Sequence, residues 1–151
     1  MSYATIAILG SPVVKERTAN AAITPGHLIE LMSTNYVRVH ATAGGTAQKM
    51  FALEDENQGN EISDAYTAAN VCRYGVFSPG QEVYAILADG ETAVIGSKLE
   101  SNGDGTLRVV DTDASAGDIG VQSIVGIALE AVDMSGSSGE DPSGRIRIEI
   151  I

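Results

Sequence analysis

The sequence has no tryptophan, a single cysteine and few basic residues, and each shortage closes off a class of protein. Among its 151 residues, 9 Lys and Arg stand against 20 Asp and Glu, a formal net charge of −11. A nucleic-acid surface needs clustered cations to neutralise phosphates, so DNA and RNA drop out as partners. Cys72 has no second cysteine to pair with, which fits a reducing cytoplasm rather than a disulfide-stapled secreted scaffold. No apolar run nears the ~20 residues of a membrane span. The opening "MSYATIAILGSPVV" lacks the basic flank of a signal peptide, so a soluble, unexported chain with no membrane partner is expected. With aromatics at only 5% of residues, the core must be built from Ala, Val, Ile and Leu.

Reaction centres are equally scarce. His27, His40 and Cys72 lack metal-ligand spacing, which argues against zinc. His27 follows a turn and His40 falls on the polar side of an alternating run, so both read as exposed side chains rather than triad members. "ATAGGTAQKM" has a glycine pair but no Lys-Ser/Thr to hold phosphate and magnesium. "ESNGDGTLRVVD", 100–111, imitates a calcium loop, yet begins with Glu and ends with Asp where an EF-hand needs the reverse. Its flanks alternate like strands, and a hairpin is expected there. Lys98 follows "VIGS" inside an apparent strand, unlike the tip lysine of a lipoyl or biotinyl carrier. The residues therefore point to no enzyme, no catalytic or metal site and no cofactor.

What the chain does have is turns. Seventeen Gly and four Pro punctuate short alternating segments, the mark of a mainly β fold. The expected architecture is a small antiparallel β-barrel or sandwich-like domain with hairpins. "NYVRVHATA" alternates cleanly, and "AQKMFALE" resumes after Gly44-Gly45. From residue 71 a meander runs through "VCRYGVF", "EVYAIL", "TAVIGSKLE" and "TLRVVD", with Asp89-Gly90 and "SNGDG" as hairpin signals. "VQSIVGIALEAVD" is long enough for one buried strand. The closing "RIRIEII" places Ile146, Ile148 and Ile150 on one face and Arg145, Arg147 and Glu149 on the other. Residues 54–70 form a polar loop, whose "ISDAYTAAN" portion could hold a short helix capped by Ser63. The expected division is an N-terminal arm or edge strand over 1–22, then a single β-rich domain over 23–151.

Two Pro-Gly turns, Thr24-Pro25-Gly26 and Ser78-Pro79-Gly80, each precede an alternating run, and "ALE" recurs at 52–54 and 128–130. Matches this short arise by chance in an Ala- and Gly-rich chain, so a duplication stays open. Charge is uneven as well: residues 1–75 carry 7 acids and 5 bases, and residues 76–151 carry 13 acids and 4 bases. That asymmetry fits simple solubility, or a C-terminal half facing solvent and an N-terminal half facing a partner.

The segments "VKERTANAAITPGHLIEL", "VRVHATAGGTAQKMFALEDENQGNEISDAY", "FSPGQEVYAILADGE" and "LESNGDGTLR" resemble the head-decoration, or capsid cement, proteins of tailed bacteriophages over residues 13–110. The resemblance implies a small β-rich structural protein on the outer surface of an icosahedral head. It further implies the major capsid protein as partner, a homotrimer, mechanical stabilisation and no catalytic residues. An apolar N-terminal segment suits such a clip, since an extended strand adds backbone hydrogen bonds to a partner's sheet edge. Tyr3, Ile6, Ile8 and Leu9 are the candidate capsid- or neighbour-binding residues; the alternative is an ordinary strand of the chain's own sheet. A carbohydrate-binding or adhesion module is the other functional class, disfavoured by the scarcity of aromatic platforms.

Overall fold

A computed structural model describes residues 3–110, 123–136 and 144–151. In these the chain forms thirteen strands: β1 (Ala7–Leu9), β2 (Val13–Thr18), β3 (Ile29–Leu31), β4 (Val37–Val39), β5 (Met50–Ala52), β6 (Val71–Val76), β7 (Glu82–Ile86), β8 (Thr92–Ala93), β9 (Lys98–Ser101), β10 (Leu107–Val109), β11 (Ile124–Ala128), β12 (Val132–Asp133) and β13 (Arg145–Ile150). A 3₁₀ turn occupies Glu56–Gln58. The expected connection at 112–120, residues 121–122 at the head of "VQSIVGIALEAVD", and 137–143 of the Ser/Gly/acid loop lie outside the described residues.

The main sheet has six antiparallel strands in the order β1-β7-β13-β11-β9-β10. It curls until Leu87, just past β7, bridges Leu107 of β10, with the Ala88 N–H donating to the Leu107 carbonyl at 2.8 Å. One bridge does not close a barrel. The sheet stays open and packs against a second layer, so the sandwich-like alternative is the one formed. That layer holds the sheet β2-β6-β5 and the hairpin β3-β4, while β8 and β12 make a small ribbon of their own.

β5 stands between two cores. Phe51 points into the larger one with Ile6, Leu28, Phe77, Leu99, Leu107, Ile146 and Ile148, and meets Phe77 edge-on at 5.9 Å between ring centroids. Met50 and Ala52 point the other way, into a smaller core with Ile23, Ile29, Val37, Cys72 and Tyr74. Alternation along a strand sends neighbouring side chains to opposite faces, so a strand buried on both faces needs apolar residues throughout. "MFA" meets that demand.

Several expectations give way to tertiary packing. "ISDAYTAAN" forms no helix, because Tyr66 is held in an extended bridge. Its N–H donates to the Ile23 carbonyl at 2.7 Å, Ile23 returns the bond, and the Tyr66 hydroxyl donates to the Leu53 carbonyl at 2.6 Å. "TAVIGSKLE" splits into β8 and β9 at a turn whose Gly96 has φ +91°. His27 and His40 are buried, not exposed. Arg145 is buried too, under the Pro25 turn and the Ile62 carbonyl, while Arg147 and Glu149 on the same face of β13 stay only partly covered.

Arg145 explains the first Pro-Gly turn. Its guanidinium donates to the Pro25 carbonyl and the Ile62 carbonyl, each at 2.7 Å, and lies over the Tyr84 ring. Gly26 adopts φ +97°, and a side chain there would meet an Arg145 nitrogen at 2.5 Å. The second turn is tied by Gln81, whose carboxamide accepts from the Ser78 N–H at 2.9 Å and donates to the Ser11 carbonyl at 3.2 Å. Each turn is thus a fastening point for a distant piece of chain.

Candidate interaction surface

Residues 3–9 lie along the edge of the main sheet. Ile6 is fully buried in the larger core, with its N–H donating to Glu54 at 3.0 Å and its carbonyl accepting from the Tyr84 N–H at 2.8 Å. Tyr3 packs edge-on against Tyr84 at 5.2 Å, and its hydroxyl accepts from Arg147 at 3.0 Å. Ile8 is partly buried against the same core. Leu9 alone of the four is largely exposed, at 56%. The structure therefore separates them into three that hold the strand down and one that it presents.

Leu9 has company that sequence reasoning missed. Leu9 pairs with Glu82, Gly10 turns the chain at φ +89°, and Val13 and Val14 follow at 62% and 45% exposure. Gly80 and Gln81 bond Ile150, which brings exposed Ile151 to the same end of the sheet. Leu9, Val13, Val14 and Ile151 thus make an exposed apolar corner at this end, with Val13 and Val14 on opposite faces of β2. A second apolar tip, Val94-Ile95, stands on the turn between β8 and β9, at the other end of the sheet. The signal for the corner was the β-branched pair in "SPVVK", which has no polar alternation to bury it.

The polar loop borders a cleft of about 560 Å³ lined by Asp55, Gln58, Asn60, Thr67, Asn70 and the Tyr66 region. Asn70 donates to Thr67 at 2.6 Å. Amides, a hydroxyl and a carboxylate give this small cleft hydrogen-bond donors and acceptors.

Several titratable groups elsewhere are sealed or engaged. His40 Nε2 donates to the Thr46 carbonyl, which only accepts, at 3.1 Å, and Nδ1 meets the Ser101 hydroxyl at 2.7 Å. This Ser–His pair lies under the surface, with Ser101 wholly buried, so no substrate reaches it. Burial, with Asp55 nearby, pushes the Cys72 thiol up to about 12, leaving it a protonated core residue. Desolvation, reinforced by Cys72, also raises the Tyr66 phenol well above its ordinary range.

The imitation calcium loop is the β9–β10 hairpin, with Lys98 opening β9. Desolvation pushes the Asp104 carboxyl up, but bonds from the Thr106 hydroxyl and N–H and from Asn102 outweigh it and hold it below the usual range. Its carboxylate is committed to the loop's own donors. Among the described residues no three His, Cys, Asp or Glu gather to hold a metal ion.

No family model matches the chain, and no curated protein matches it. Its fold is similar to a solved structure, the N base of the head fibre protein gp8.5 of bacteriophage phi29. The TM-score is 0.57 at 12% identity, over 93% of this chain and 95% of that one. At that identity the likeness is one of fold.

Proposed function

We propose, from a fold shared along nearly its whole length with the base of a phage head fibre, that this chain is a structural virion protein. In this reading it binds the outer surface of an icosahedral head and links neighbouring major capsid subunits, as a homotrimer assembled after synthesis in the host cytoplasm. The apolar corner at Leu9, Val13, Val14 and Ile151 supports this as a contact, with Tyr3, Ile6 and Ile8 holding the strand that presents it. Fully burying Leu9, Val13 and Val14 would contribute roughly 1.5–3 kcal/mol each. Association costs of about 4–15 kcal/mol offset most of that, so attachment needs several linked contacts, which a trimer supplies.

The test is co-sedimentation of purified protein with expanded, undecorated heads, followed by electron microscopy. Added density on the outer surface and higher heat resistance of the heads are expected. Heads that sediment without the protein would contradict the reading.

The carbohydrate-binding alternative draws on the cleft in the polar loop, whose amide and carboxylate groups suit sugar hydroxyls. A glycan array separates the two, since binding lost on Asn60→Ala and Asn70→Ala together would favour adhesion.

A further inference from the structure

The free edges of the two larger sheets differ. β1 has three residues and a register irregularity, and β10 has three residues. β5, also three residues, is flanked by the Leu28–Phe51 bridge. Natural sheets blunt their edges with short or bulged strands of this kind. β2 is not blunted in length or regularity: six residues pair with β6 without a register shift, and Val13, Val14, Lys15 and Glu16 are exposed.

The backbone shows which atoms are open. The Ala19 N–H donates to the Asn70 carbonyl beside β6, while the next residue, Asn20, donates away from β6 to Val37. On the far side of β6, the Arg73 carbonyl and the Phe77 N–H bond to Leu53 and Lys49 near β5. Antiparallel strands alternate bonding sides residue by residue. Both observations therefore assign Val13, Lys15 and Arg17 inward to β6, and Val14 and Glu16 outward. Among the described residues nothing pairs with those outward groups until Ala19 meets Val37 of β4.

We propose that β2 accepts an extended segment of a partner protein as an added strand. That segment alternates, with carboxylates along the Lys15 and Arg17 face and apolar side chains against Val14 on the other face. Charge selects it: Lys15 and Arg17 share one face of β2, and opposite charges directly across an antiparallel pair are favourable. A second copy of β2 is a poor occupant. Two-fold pairing through Val14 and Glu16 at fullest overlap sets Lys15 against its own counterpart. Sliding one way sets Lys15 against Arg17, and sliding the other way sets Glu16 against Pro12, which has no N–H to give. This deepens the head-binding reading and rests on it only for the source of the partner strand.

The test titrates the full protein with labelled ten-residue peptides alternating Val with Glu, or Val with Lys, followed by fluorescence anisotropy. The Val/Glu peptide should bind at least tenfold more tightly, and Lys15→Glu should reverse the preference. Against a chain of net charge −11, unspecific attraction would favour the Val/Lys peptide, so the expected order reports the edge itself. Glu16→Pro removes an outward N–H without touching the β6 ladder and should abolish binding, whereas Glu16→Ala should keep it. Equal binding of the two peptides, or no effect of Lys15→Glu, overturns the proposal. The same variants are then sedimented with undecorated heads. Wild-type protein that takes up the Val/Glu peptide but ignores heads overturns the head-binding reading and upholds the edge. Heads bound equally by wild type and Lys15→Glu overturn the edge as the head contact.

Discussion

β13 and β2 are both six residues long and both pair without interruption, yet their surroundings are opposite. β13 lies between β7 and β11, with Ile146, Ile148 and Ile150 in the core and Arg145 buried on its other side. β2 has one neighbour, and its first four residues are exposed on both faces. The same backbone geometry thus builds the molecule in one place and presents it in the other. Substitutions should divide accordingly, with stability residing in β13 and recognition in β2.

The largest contrast should come from truncating each strand. Ile148→Ala removes a fully buried side chain and should cost about 2–5 kcal/mol, read from the denaturant midpoint. Val14→Ala should stay within about 0.5 kcal/mol. Comparable losses would mean that β2 is structural after all.

The two Pro-Gly turns sharpen the comparison next. Gly26 and Gly80 both have positive φ, but a side chain at Gly26 would meet Arg145 at 2.5 Å and the Tyr84 carbonyl at 2.9 Å, while Gly80 has open space around it. Gly80→Ala should cost about 1–2 kcal/mol for the left-handed backbone alone. Gly26→Ala should cost clearly more, because it displaces the clamp that fixes the turn to β13. Equal melting shifts would contradict the clamp.

A smaller effect is expected from pH. The Asp104 carboxyl is held below its ordinary value of about 3.9, so its contribution is full above that pH and fades as pH falls through the lower folded value. Asp104→Asn should melt below wild type at pH 7, and the gap should close below about pH 4. Smallest of all, Cys72 should resist iodoacetamide in the native protein at pH 8 and react once unfolded, since its thiol lies at about 12 and is buried.

Legibility in the sequence followed burial. "RIRIEII" was readable because one face of β13 is uniformly isoleucine, although nothing in the string showed that Arg145 would be buried under the Pro25 turn. The helix expected in "ISDAYTAAN" failed because a bridge to Ile23, far away in the chain, holds Tyr66 extended. His40 follows the end of β4, so strand alternation no longer governs where its ring points, and it turns inward to Ser101. β2 left no period to read: "VVKERT" has no covered side for its first four residues, and alternation reports a covered side rather than a strand. The apolar corner was half visible. Leu9 stood out as an apolar residue near the N-terminus, while Val13, Val14 and Ile151 joined it only through the Gly10 turn and the meeting of β7 with β13.

Residue-resolved amide hydrogen exchange on the free protein tests this division most directly. Slow exchange is expected along Ile146–Ile150 and an alternating pattern on β2, with Lys15 and Arg17 protected and Val14 and Glu16 exchanging freely. Uniform protection across 13–17 would show that something already covers the edge, and uniform exchange would show that β2 is not a formed strand; either result would contradict the account.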